Sequence, residues 1–171
     1  MQSRLKKHLI YSAVFLLVYI IEAAPHKFLT FFGTTPDLII ICVVLYAIFE
    51  GEKAGAILGL VIGLLCDVQS KIIGFNAIQF MILGYITGVL MQRLLRRNVI
   101  TSISLCIACT FLSSMLTYIF FFLLWGDRNF IFAFLYIILL KAALSIPFSA
   151  LFYNGFKYLK QNVFIGDWEG V

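Results

Sequence analysis

Five polar side chains, Asp37, Asp67, Asn76, Gln79 and Lys141, interrupt or border long apolar runs. Two carboxylates held close together could share a proton and so act as acid and base. Neither aspartate, however, carries the flanking signature of an intramembrane aspartyl protease. The two histidines, His8 and His26, lie on either side of the first apolar run, which leaves no HExxH pair and no histidine cluster. No GxSxG nucleophile elbow occurs. Cys106 and Cys109 form a CxxC, but no second Cys or His pair completes a zinc site and no βαβ context makes a redox motif. They read as small packing residues on a helix. No catalytic group, metal site or cofactor site is expected, and the chain reads as non-enzymatic.

Charge balance is the chemistry that remains. Lys141 lies ten residues into the last apolar run, about 15 Å from its start by helix rise. An ammonium at that depth is costly alone and calls for a carboxylate within reach of its flexible stem. Asp37 and Asp67 both fall on the same side of the expected membrane, so Lys141 is expected to pair with one of them. Asn76 and Gln79, one helical turn apart, either extend that outer polar cluster or snorkel separately to the interface.

The elements that position these groups follow from composition. The chain has 171 residues, of which 63% are hydrophobic and 12% charged. Soluble domains carry about a quarter charged residues, so the solvent implied here is lipid. Apolar runs occur at 9–24, 37–49, 54–66, 72–92, 99–124 and 131–156. They predict an all-α, multi-pass membrane protein of six transmembrane helices in a single domain over 1–171. The second and third runs are short, at about 20 Å of helix each. They either span with snorkelling ends or form a hairpin entering from one side. "EGEK", Glu50 to Lys53, divides them as a polar turn.

The formal charge of +5 sits in clusters beside apolar runs, which points to membrane-flanking loops and not to nucleic acid. With six spans and a cytoplasmic N-terminus, Arg4, Lys6, Lys7, Lys53, Arg93, Arg96, Arg97, Lys157 and Lys160 lie inside. Lys27, Lys71 and Arg128 lie outside, a nine-to-three bias that puts both termini in the cytoplasm. The start imitates a secretory signal. Cleavage after Ala24 would place Glu22 at minus three and Pro25 just past the cut, so an uncleaved first span is expected. The tail "KQNVFIGDWEGV" is too short to fold alone.

Gly51, Gly55, Gly59, Gly63 and Asp67 are each four residues apart. That spacing lines one helix face with glycine and leaves a strip nearly free of side chains. In lipid, helices associate through close van der Waals contact, which such strips allow. Gly84 and Gly88 in "GYITG" repeat the device in the fourth span. Ser102, Cys106, Cys109, Ser113 and Thr117 make a small, mildly polar face on the fifth. The strip serves either internal packing or the docking of a separate protein; spacing alone does not name the helix it meets.

Asp67 ends its helix where the macrodipole disfavours negative charge. Asp37 suits a helix start, with Thr35 as N-cap, Pro36 at the first position and Asp37 in the first turn. Glu22, Glu50 and Glu52 stand at span ends and read as solvated. Trp125 suits an interfacial belt, and Pro147 is expected to kink the last span.

The stretch "PDLIIICVVLYAIFEGEKAGAILGLVIGLLCDVQSKIIGFNAIQF" resembles the rod shape-determining protein MreD family of bacteria. The matching residues are Pro36 and Asp37; Gly55, Gly59, Gly63 and Asp67; then Gly74, Phe75 and Asn76. Length, the short basic start and the six-run layout are also similar. Lys141 and the Cys106/Cys109 pair stand outside the family's pattern. The resemblance implies a membrane scaffold of the cell-elongation machinery, in the bacterial cytoplasmic membrane. Its implied partners are lipid, the single-span MreC and, through it, RodA, a class B penicillin-binding protein and MreB. It also implies a fold similar to the substrate-binding subunits of energy-coupling-factor vitamin transporters. That fold supplies the rival reading, a solute-binding subunit with Asp37, Asp67, Asn76, Gln79 and Lys141 lining an outward pocket. Such subunits usually carry an Ala-x-x-x-Ala pair in the first span, and "LIYSAVFLLVYIIEAA" has none.

Overall fold

A computed structural model describes residues 2–23, 36–69, 74–93, 98–125 and 131–163. These residues form six α-helices and no strand: α1 Gln2–Ala23, α2 Leu38–Glu50, α3 Glu52–Gln69, α4 Phe75–Arg93, α5 Val99–Trp125 and α6 Ile131–Val163. They occupy the six apolar runs. The first helix begins well before residue 9 and the last continues past 156, because polar residues extend both beyond the apolar stretch. Pro147 lies inside α6 without ending it.

Within the described residues, Phe75–Arg93, Val99–Phe120 and Ile138–Tyr158 are long and apolar enough to cross a bilayer. Ala13–Glu22 and Leu38–Glu50 are shorter apolar stretches. The shortness of α2 has a structural reason. Leu38 to Ile48 are all buried, and α1, α3, α4, α5 and α6 each pack against α2. A helix apolar all round belongs inside protein. Here α2 is the hub, so its length need not match the hydrocarbon.

The polar turn between α2 and α3 is tighter than "EGEK" suggests. Only Gly51 separates the two helices, and its φ of +99° is a left-handed conformation that glycine adopts at little cost. Glu50 closes α2 and Glu52 opens α3, which joins the short helices as a hairpin.

The glycine strip of α3 faces α4. A Cβ built on Gly59 would collide with the Phe80 backbone carbonyl, and one on Gly63 with the Ala77 backbone. From the other side, Gly84 lies against the carbonyl of Gly55 and Gly88 against the Glu52 backbone. Gly55 also abuts Ala47 of α2. The two glycine series therefore meet each other, and backbone touches backbone along the seam.

Where the middle of α1 meets the last turn of α2 and the C-terminal part of α6, the hub is held by rings. Tyr11 meets Tyr46 edge-on at 5.1 Å and stacks on Phe156 at 5.6 Å, while Phe49 stacks on Phe156 at 6.1 Å. Edge-on and offset ring pairs add to the area they bury. No spacing in the sequence marks these rings as a cluster.

Candidate functional site

The opposite end of the bundle gathers the polar residues. Successive helices alternate in direction, so the C-terminal ends of α1, α3 and α5 meet the N-terminal ends of α2, α4 and α6. Lys141 of α6 reaches Asp37, its Nζ donating to the two carboxylate oxygens at 2.9 and 3.1 Å. The side chains are 26% and 19% exposed, an ion pair largely removed from water. Of the two possible carboxylates, Asp37 is the one taken.

That pairing changes how α2 starts. The helix begins at Leu38, with Asp37 as the flanking residue and buried Pro36 before it. Asp37 makes no side-chain cap. The expected arrangement, with Pro36 at the first position and Asp37 in the first turn, is not what forms; Thr35 lies outside the described residues. The cap comes instead from Glu22 at the end of α1, whose Oε2 accepts the Ile39 N–H at 3.0 Å. Glu22 was expected to be solvated. It is half-buried because the two helix ends meet, and its negative charge faces the positive end of α2's dipole. An acidic residue closing one span beside the start of the next is the signal that could have revealed this.

Asp67 is resolved by the same kind of contact. Its side chain is buried, and its two oxygens accept N–H bonds from Gly74 at 2.8 Å, Asn76 at 3.0 Å and Ala77 at 3.1 Å. The unfavourable dipole of its own helix is offset by the favourable one of α4, whose unpaired amides it satisfies. Gly74 holds φ +96° to aim its N–H at the carboxylate. The two aspartates are thus committed to different partners, one to an ammonium and one to backbone.

Gln79 is buried and donates through Nε2 to the Ser113 carbonyl at 2.9 Å and to the Ser113 hydroxyl, tying α4 to α5. On the same small-residue face of α5, Cys106 and Cys109 are buried free thiols, and Cys109 contacts the Thr87 hydroxyl at 3.3 Å. No group of three or more His, Cys, Asp or Glu able to hold a metal occurs among the described residues.

Between these pins lies a cavity of about 290 Å³. Glu22, Asp37 and Lys141 supply its charged lining, while Asn76 of α4 and Ser113, Ser114 and Thr117 of α5 supply neutral polar groups. Ile39, Ile40, Cys66, Phe80 and Ile138 complete it with largely apolar surface. Asp37, Asn76 and Lys141 therefore share one space, with Gln79 one step behind Ser113 and Asp67 capping the helix that carries Asn76. Sequence reasoning did not place Glu22, Ser114 or Thr117 in this group.

The ion pair gives a testable expectation. Lys141→Met strands a partly buried carboxylate and should lower unfolding free energy by about 1–2 kcal/mol, moderated by its access to the cavity. Asp37→Asn combined with Lys141→Met should recover most of that loss. Unfolding of the parent and the two purified variants in detergent measures it; a double variant no better than the single would show the pair is not coupled.

Sequence profiles of known families give one result. The profile described as rod shape-determining protein MreD matches residues 2–160. No curated protein and no solved structure matches the chain significantly.

Proposed function

The chain belongs to the rod shape-determining protein MreD family, and from that premise we propose that it is a non-catalytic scaffold of the bacterial cell-elongation complex. Membership itself implies a role in rod shape determination. The proposal adds the means. The protein sits in the cytoplasmic membrane as six spans with both termini inside, in a fold similar to the substrate-binding subunits of energy-coupling-factor transporters. There it meets the single-span MreC and, through it, RodA, a class B penicillin-binding protein and MreB.

The observation that carries this reading is the family match along nearly the whole chain. The construction of the molecule agrees with it. Almost every described residue is helical, so a partner must be met within the membrane or at its two surfaces. The glycine seam is filled by the chain's own helices, which directs a partner helix to another face. Leu16, Leu17 and Ile20 on α1, each more than half exposed, are apolar surface that lipid or a partner helix would cover.

Mild-detergent purification of the tagged full-length protein from its host, with identification of what accompanies it, tests the proposal. MreC and RodA are expected. An ATPase pair with a transmembrane coupling subunit, and no MreC, would overturn it.

A further inference from the structure

We infer that the cavity bordered by Glu22 and Ser114 binds a primary ammonium group, carried by a free small amine or by the head group of an amine-bearing phospholipid. The inference rests on hydrogen-bond accounting at the cavity and is independent of the MreC partnership.

Charge sets the class of ligand. With Glu22, Asp37 and Lys141 all ionised, the lining would carry one net negative charge, which a bound cation would balance. Lys141 is already engaged, because both Asp37 oxygens accept from it. Among the described residues, Glu22 spends only one oxygen, Oε2, on Ile39. An anion would face that carboxylate without a free counter-charge, whereas a cation would complete it.

Ser114 gives the second, independent sign. A hydroxyl inside an apolar helix normally donates back to a carbonyl three or four residues earlier. Thr87, Ser102, Thr110, Thr117, Ser145 and Ser149 all do so. Ser113 Oγ instead accepts from Gln79. Of the buried serines and threonines, Ser114 alone has no partner among the described residues: it is 8% exposed and belongs to the cavity lining. A buried hydroxyl left unpaired costs stability unless something completes it. The Asn76 side-chain amide also makes no hydrogen bond among the described residues, although its backbone N–H is held by Asp67.

Among the described residues, Glu22 Oε1 and Asn76 Oδ1 are therefore unclaimed around one space, and Ser114 Oγ, closed to solvent as it stands, joins them when its side chain turns toward that space. A primary ammonium carries three N–H donors. A hard metal cation would want about six or more oxygens, which the lining does not gather. Water could occupy the volume but would leave the charge unmatched. At about 290 Å³ the space is near the lower limit for ligand pockets, sized for a small head group.

The test uses the purified full-length protein. In detergent, equilibrium binding of ethanolamine is compared with choline, whose trimethylated nitrogen has no N–H. In nanodiscs, native mass spectrometry compares retention of phosphatidylethanolamine, phosphatidylcholine and phosphatidylglycerol. Ethanolamine binding is expected if the amine is free, and selective phosphatidylethanolamine retention if it is lipid-borne. Choline and phosphatidylcholine are expected to bind at least about tenfold more weakly, since charge-assisted N–H bonds are lost. Glu22→Gln keeps an acceptor for Ile39 but removes the charge, and should weaken binding about tenfold or more. Ser114→Ala removes a hydroxyl that bonds nothing among the described residues, so it should weaken binding while helix content by circular dichroism stays unchanged. No binding by either amine, equal binding of the trimethylated controls, or a folded Ser114→Ala protein that binds as the parent does would each overturn the inference.

Discussion

Replacing Asp67 by alanine should cost the folded protein about 3 kcal/mol or more, the largest loss expected from any single polar side chain described. The substitution strands three backbone donors at the start of α4: the N–H groups of Gly74, Asn76 and Ala77. An unsatisfied buried donor costs about 1–3 kcal/mol, and loss of a helix cap alone costs about 0.5–2 kcal/mol. The sum stays below three full penalties because water from the cavity side can reach the less buried donors. Asp67→Asn keeps one acceptor and should cost roughly half as much. Unfolding free energy in detergent reads the size of the effect. Hydrogen exchange reads its place, with protection lost first at Gly74, Asn76 and Ala77. Equal protection in parent and alanine variant would refute this role for the carboxylate.

Leucine at Gly59 or Gly63 should be comparably damaging. Even the first carbon of the new side chain would collide with backbone, at Phe80 or at Ala77, and backbone does not swing aside as a flexible side chain does. Overpacking ordinarily costs about 1–3 kcal/mol, and here α3 and α4 must separate to relieve it. Separation also exposes the hub, since α2 packs on both helices. The expected readout is a fall of about 3 kcal/mol or more in unfolding free energy and rapid proteolysis at the α3–α4 connection. Leucine at Gly155, where an added Cβ would meet nothing within 4 Å, is the control and should be nearly neutral. Similar behaviour at Gly63 and Gly155 would contradict the seam.

The glycine register was legible because spacing of four fixes which residues share a helix face. The identity of the opposing face was not, because spacing says nothing about which helix approaches. The unbroken apolar run of α2 carried its own message of all-round burial, yet its shortness suggested two membrane arrangements before it suggested a hub. At the polar end, the demand for a carboxylate beside Lys141 followed from the cost of a lone buried charge. The choice of Asp37 over Asp67 depended on α4, whose open amides claim Asp67. Glu22 was misread for a related reason. An acid at a span end looks solvated until the next helix begins beside it, and that juxtaposition is tertiary. Ser114 could not have been found from sequence, since what distinguishes it is a hydrogen bond that its neighbours make and it does not.

The glycine series is spent within the chain, which leaves other faces for the proposed partner. The deciding measurement is the unfolding of Gly59→Ala protein purified alone, set beside recovery of the proposed partner MreC with the same variant. Alanine adds only the one carbon that meets the Phe80 carbonyl. The isolated variant should already unfold more readily than the parent, with no partner present. An isolated variant as stable as the parent that nonetheless loses MreC would contradict it, by moving the seam from the inside of this protein to its interface.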